Sequence, residues 1–201
     1  ALEQLKTHPE ALKQVAMADR LIITKADAVD GSVLETVTRT VGALAPLARI
    51  AQARHGVIDA ALVTEIGIQD ICADAARVDR WLGSDRADIS AGAHRHDAGI
   101  ETFTLRFEQP FSMRVFEQCI EVLTGLRGPD LLRVKGLVNI EGAAGPMVVQ
   151  GVQHLFHPPV ALAKWPGADR ASRLVFITRG IPPAVVTGLF SAVTALAATG
   201  A

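Results

Sequence analysis

Thr24-Lys25-Ala26-Asp27 is the sharpest chemical signal in this chain. It sits at the end of the short apolar run Arg20-Leu21-Ile22-Ile23-Thr24, which reads as a strand. In doubly wound sheets, ligands bind beyond the carboxyl ends of the strands. An ionised aspartate there offers two acceptor oxygens, and guanine offers two adjacent donors, N1–H and the 2-amino group. Adenine has an acceptor at N1 and no 2-amino group, so the same carboxylate rejects it. Lys25 can lay its aliphatic stem on a base and keep its ammonium in water. Taken alone, the same four residues suit a polar loop capping the helix at Gly31 better; spacing and context favour the other reading.

A second cluster, His94-Arg95-His96-Asp97, lies in a stretch of small and polar residues. Neutral imidazoles beside a carboxylate suit Zn²⁺ or Co²⁺, but a closed tetrahedral site needs four ligands. Solvated histidines of a linker would look the same. His154 reads as sheet surface and His157 as a turn before Pro158-Pro159. Cys119, inside an amphipathic pattern, reads as a small core residue. No Ser/His/Asp or Cys/His arrangement stands out, so no catalytic residue is assigned. Arg127, Arg133, Lys135, Arg173 and Arg179 fall on or near strands of the second half. Arg133 and Lys135 share a sheet face, read as solvated surface or as a docking face.

The elements that would position these groups alternate in the first half. A helix opens at Pro9, with Leu12, Val15 and Ala16 on one face. The strand Arg20–Thr24, a turn over Lys25–Asp30, a helix from Gly31 to Leu44, a strand from Ala48 to Gln52 and a helix starting in Gly56–Glu65 follow. This is the rhythm of an α/β sheet with buried parallel strands. Residues 86–99 break it and read as a linker or mobile loop. Beyond them, Glu101–Phe107 alternates like a half-exposed antiparallel strand, and Phe111–Leu126 is an amphipathic helix. Leu131–Ile140 and Met147–Phe156 flank a Gly142-Ala143-Ala144-Gly145 turn. Leu174–Thr178 and a helix opened by Pro182-Pro183 complete a small α+β sandwich. The expected division is therefore 1–85, a linker over 86–99, and 100–201.

Composition sets the outer bounds. The chain has 201 residues, with 20 Lys plus Arg against 21 Asp plus Glu, a net charge of −1. That balance argues against a nucleic-acid binder. At 49% hydrophobic and 20% charged residues the chain can bury a core of its own. Its two cysteines, Cys72 and Cys119, are far apart, which fits a reducing cytoplasm better than a disulfide framework. No run approaches the roughly 18 apolar residues of a membrane span. The first residues have no signal-peptide pattern. The chain opens without Met inside a helical pattern, so it is expected to be cut from something longer.

Ala18-Asp19-Arg20-Leu21-Ile22-Ile23-Thr24-Lys25-Ala26-Asp27 resembles the guanine-recognition segment of the CobW-type P-loop GTPases, a family of metallochaperones. His8–Val15 resembles the helix before it, and Pro46–Ile50 with Gly56–Asp59 the stretch that closes the nucleotide site. In the second half, Leu132–Gly136, Gln150–Val152, Trp165 and Ser172–Gly180 follow the order of the family's C-terminal domain. The resemblance implies the C-terminal part of a Rossmann-like GTPase domain followed by a small α+β domain. It implies binding of GTP with Mg²⁺, slow hydrolysis, and delivery of a divalent metal, zinc or cobalt, to a client metalloprotein. By the same resemblance Thr24, Lys25, Asp27, Ala53 and Arg54 bind the nucleotide, with the Ala51–His55 loop lining the base, and His94 and His96 bind metal. A P-loop, Gly-x-x-x-x-Gly-Lys-Ser/Thr, is absent from the chain. Of its five lysines only Lys6 precedes a Ser or Thr, and Leu5 stands where the glycine should be. The family's CxCC motif is absent too. The expectation is that both lie upstream and that this chain alone is inactive. The alternative is a non-enzymatic module binding protein or metal.

Overall fold

The computed structural model describes residues 2–64, 75–82, 94–95 and 99–199. They form two compact units, Ala1–Ile71 and Cys72–Ala201.

In the first unit, α1 (Leu2–Thr7) and α2 (Pro9–Met17) lead into β1 (Arg20–Ile23). Pro9 suits the first helical position because it has no N–H to leave unbonded. A single 3-10 turn, Ala26–Ala28, separates β1 from α3 (Gly31–Leu44), and β2 (Arg49–Gln52) follows. β1 and β2 pair in parallel, with Arg20 opposite Arg49 and Ile23 opposite Gln52. Leu34 and Val41 of α3 are buried, whereas Val33 is 46% exposed. β1 is also less buried than its apolar sequence predicts. Among the described residues it pairs only with β2, and Ile22 keeps 41% of its surface. The helix expected from Gly56 is confined to α4 (Ala61–Thr64). His55 and Gly56 both have positive φ, which makes a tight turn rather than a helix start. Asp59 Oδ1 then accepts the Ala61 N–H at 2.9 Å. The Arg20 guanidinium donates to the carbonyls of Ala61 and Leu62, tying α4 to β1.

The second unit carries α5 (Ala75–Leu82), β3 (His94–Arg95), β4 (Ile100–Phe107), α6 (Met113–Arg127) and β5 (Leu131–Val138). Then come β6 (Met147–Val152), β7 (Leu155–Phe156), β8 (Val160–Ala161), β9 (Ser172–Arg179) and α7 (Pro183–Thr199). The strands form one antiparallel sheet in the order β3-β4-β9-β5-β6-β7, with β8 also on β6. α6 and α7 contribute Phe116, Cys119, Leu123, Val186 and Phe190 to one core with Phe103, Val134 and Phe176. Phe190 is its hub, with ring centroids 5.2 Å from Phe107 and 6.4 Å from Phe176. The Ser112 side chain caps α6 by accepting the Val115 N–H.

Three expectations for this unit change. Met147–Phe156 is two strands, because Gln153 has positive φ and turns the chain; His154 is an exposed turn residue, not sheet surface. β4 is not half-exposed along its length: Ile100, Glu101, Thr102 and Phe103 are all buried. The face that alternates with the aromatic core carries Lys135, which is only 2% exposed. Its ammonium donates to the Trp81 carbonyl and lies 5.6 Å from the centroid of the Trp81 ring. Lys135 therefore anchors α5 and is not part of a solvated basic surface. Arg179 and Arg127 are also engaged, both on Asp130, at 2.9 and 3.4 Å.

Candidate functional site

Backbone hydrogen bonds set the two loops beyond the β1–β2 pair against each other. The Ala53 N–H donates to the Ile23 carbonyl at 2.9 Å, and the Ala26 N–H donates to the Ala53 carbonyl at 3.2 Å. This ladder extends the parallel pairing past the ends of both strands. It brings the 24–27 and 53–57 segments together. Ala26 and Ala53 are buried at the seam, while Thr24, Lys25 and Arg54 are exposed around it. Lys25 adopts the left-handed region, with φ 56° and ψ 33°. A lysine held there costs energy relative to an extended one, so the surrounding hydrogen bonds determine the turn.

Asp27 is the group on which the two loops converge. Its Oδ1 accepts the His55 N–H at 2.7 Å, and its Oδ2 lies 3.2 Å from His55 Nδ1. The His55 N–H, with the charge of Arg54 adding to it, holds the carboxyl below the usual range, so it is ionised at neutral pH. Arg54 and Val57 bracket the His55-Gly56 turn, the Val57 N–H donating to the Arg54 carbonyl at 2.9 Å. A shallow depression of about 470 Å³ opens beside this carboxylate, lined by Asp27, Ala28, Val29, Asp30 and Val33. Val29 and Val33 are roughly half exposed in it.

Thr24, Lys25, Asp27, Ala53 and Arg54 thus gather at one end of the β1–β2 pair. Sequence reasoning placed His55 only within a loop. The structure makes it the direct partner of Asp27, and its position before Gly56 in a tight turn was the available signal. His94 forms part of β3, in register opposite Thr102, rather than standing in a linker. His96, Asp97 and most of 86–99 lie outside the described residues, as does Cys72. Among the described residues no three His, Cys, Asp or Glu side chains gather as a metal site. Cys119 is buried, and burial pushes its thiol up to about 11, so it is a packing residue.

Comparison with known proteins places both units. Residues 100–194 match the family described as cobalamin synthesis protein cobW C-terminal domain. The chain also matches the solved structure of the Zn(II)-bound YjiA GTPase from E. coli, at 22% identity and a TM-score of 0.63. A zinc-bound triple mutant of the YjiA GTPase matches to the same degree. The alignment covers 95% of this chain and 57% of the YjiA chain. At that identity the likeness shows a shared fold, an α/β unit followed by an α+β domain. Residues 100–194 thus match the CobW C-terminal domain family, and the chain shares its fold with the YjiA GTPase over 57% of that protein's length.

Proposed function

We propose that this chain carries the base-reading edge and the C-terminal domain of a cytoplasmic GTP-binding metallochaperone. That protein would use GTP binding and slow hydrolysis to control delivery of zinc or cobalt to a client metalloprotein. The observation that carries the reading is the ionised Asp27 carboxylate, held beyond β1 against the 53–57 loop and beside a depression with two exposed valines. Each carboxylate oxygen has a second lone pair, so the pair that now faces His55 can also receive N1–H and the 2-amino group of guanine. Val29, Val33 and the Lys25 stem supply apolar surface for a base. The residues present fit the guanine but not the triphosphate or its magnesium, because the chain contains no Gly-Lys-Ser/Thr loop. The phosphates and the hydrolytic step are therefore assigned to other residues of such a protein, and the chain by itself is proposed to be inactive.

The zinc in the YjiA structures supports a metal cargo. His94 and His96 are the cargo ligands proposed in this chain, an incomplete set that would hold an ion weakly.

The test is a titration of this chain followed by NMR. Guanosine and GMP should shift the Asp27, His55 and Val33 resonances saturably; adenosine and AMP should not. Incubation with GTP and Mg²⁺ should release no phosphate. Equal responses to both bases, or turnover of GTP, would overturn the reading.

A further inference from the structure

α7 spans 17 residues, Pro183–Thr199, without one charged side chain. Only Val186 and Phe190 of it are buried. Its outward residues are uncharged, Ala184, Gly188, Ala192 and Ala195 standing beside Thr187, Ser191 and Thr194, and Leu196 is 72% exposed. A water-facing helix of this length ordinarily carries charges on its outer face. Beside it, exposed Val122 and Leu126 of α6 continue the apolar surface. An open groove of about 510 Å³ runs between the two helices, walled by Val193, Leu196 and Ala197 on one side. Arg114, Gln118, Glu121 and Val122 form the other wall.

Those polar wall residues identify the occupant. Arg114, Gln118 and Glu121 are spaced i, i+4 and i+7, so they form one stripe along α6. The ends of the stripe are about 10 Å apart, too far for an ion pair within the helix. Neither end has an ion pair among the described residues. Two copies of the stripe laid antiparallel about a two-fold axis at Gln118 place each arginine opposite the other copy's glutamate. The two Gln118 carboxamides, each donor and acceptor, then meet at the axis. A closed two-fold interface requires a surface complementary to itself, and this pattern is. The uncharged α7 face adds apolar area without introducing any repulsion of like charges.

We propose that the α6/α7 face is a self-association surface, on which a second copy of this chain docks through Arg114–Glu121 pairs. The helices are about 25 Å long, and a two-helix face of that length buries on the order of 1,000 Å² over both copies. That lies at the small end of specific interfaces, so the dimer forms with a dissociation constant in the micromolar range, about 10–100 µM.

Sedimentation equilibrium of the intact chain from about 5 to 300 µM tests this directly. The expected result is a monomer–dimer equilibrium. Arg114→Glu and Glu121→Arg should each weaken it at least about tenfold, and the double charge reversal should restore it to within about threefold. Both positions are exposed, and unchanged circular dichroism melting checks that the variants fold. A chain monomeric at every concentration overturns the proposal. So does association that single reversals leave intact, or that the double reversal fails to restore. A face built for a different protein gives the first of these outcomes.

Discussion

Asp27 joins a structural contact and a proposed recognition role in one side chain. Its two oxygens hold the His55 turn, and the same oxygens are the proposed readers of guanine. Asp27→Asn keeps one acceptor for the turn and replaces the other with a donor. In a protein that joins this segment to a P-loop, GTP affinity should fall at least roughly tenfold, since a charge-assisted hydrogen bond is worth about 1.5–3 kcal/mol. Xanthine carries a carbonyl in place of the 2-amino group, so XTP should bind the variant better than GTP does. Calorimetric titration with both nucleotides measures this, and unchanged GTP binding would remove Asp27 from the role. The loop position of Asp27 was legible because an apolar strand followed by a polar tetrapeptide is a local pattern. The partnership with His55 was not, because the two stand 28 positions apart and are joined only through a parallel strand pairing.

At the scale of elements, long periodic segments were readable and short or covered ones were not. α3 runs from Gly31 to Leu44 as its spacing predicts, and α6 and α7 stand where apolar periodicity and Pro183 put them. β3, two residues long, has no pattern to detect. The break at Gln153 escaped because left-handed backbone at a non-glycine residue is set by hairpin closure between β6 and β7, not by local sequence. Lys135 misled for a related reason: alternation along β5 tells which residues share a face, not what covers that face. The central strand β5 also contains Gly136, paired on both sides with β6 and β9. A Cβ there would stand 2.2 Å from the Arg173 carbonyl oxygen and 2.8 Å from the Leu174 side chain. Backbone cannot withdraw from the middle of a sheet without breaking its ladder. Gly136→Ala should therefore destabilise the second unit by about 2–4 kcal/mol, at or beyond the usual range for overpacking. Urea unfolding followed by far-ultraviolet circular dichroism reads the shift in midpoint.

At the scale of the whole molecule, each unit is held by its own contacts and should respond to acid in its own way. In the second unit, Asp169 receives two hydrogen bonds from Arg106, at 2.7 and 3.0 Å, and one from the Ala171 N–H. The Arg106 guanidinium, aided by that N–H, lowers the Asp169 pKa from 3.8 to about 2. A carboxyl depressed in the folded state stabilises above its unfolded pKa, and the contribution disappears as pH falls through the folded value. The loss should run between about pH 4 and pH 2, and it should be modest because both side chains are nearly half exposed. Asp169→Asn should flatten the acid dependence of the second unit over that window while lowering its stability at neutral pH. Urea midpoints of both proteins across that pH range provide the measurement, and parallel acid profiles would contradict the assignment.

The contact between Lys135 and Trp81 bears on where this domain can be cut. The family match begins at residue 100, yet Lys135 is buried and sends its ammonium to a carbonyl 54 residues earlier in the chain. A fragment started at Ile100 would keep every strand from β4 to β9 and lose the lid over that ammonium. The stranded ammonium would then face water or seek another partner. Dissection that preserves the domain must begin ahead of Ala75. The helix α5, outside the matched segment, travels with the sheet as part of the same folding unit.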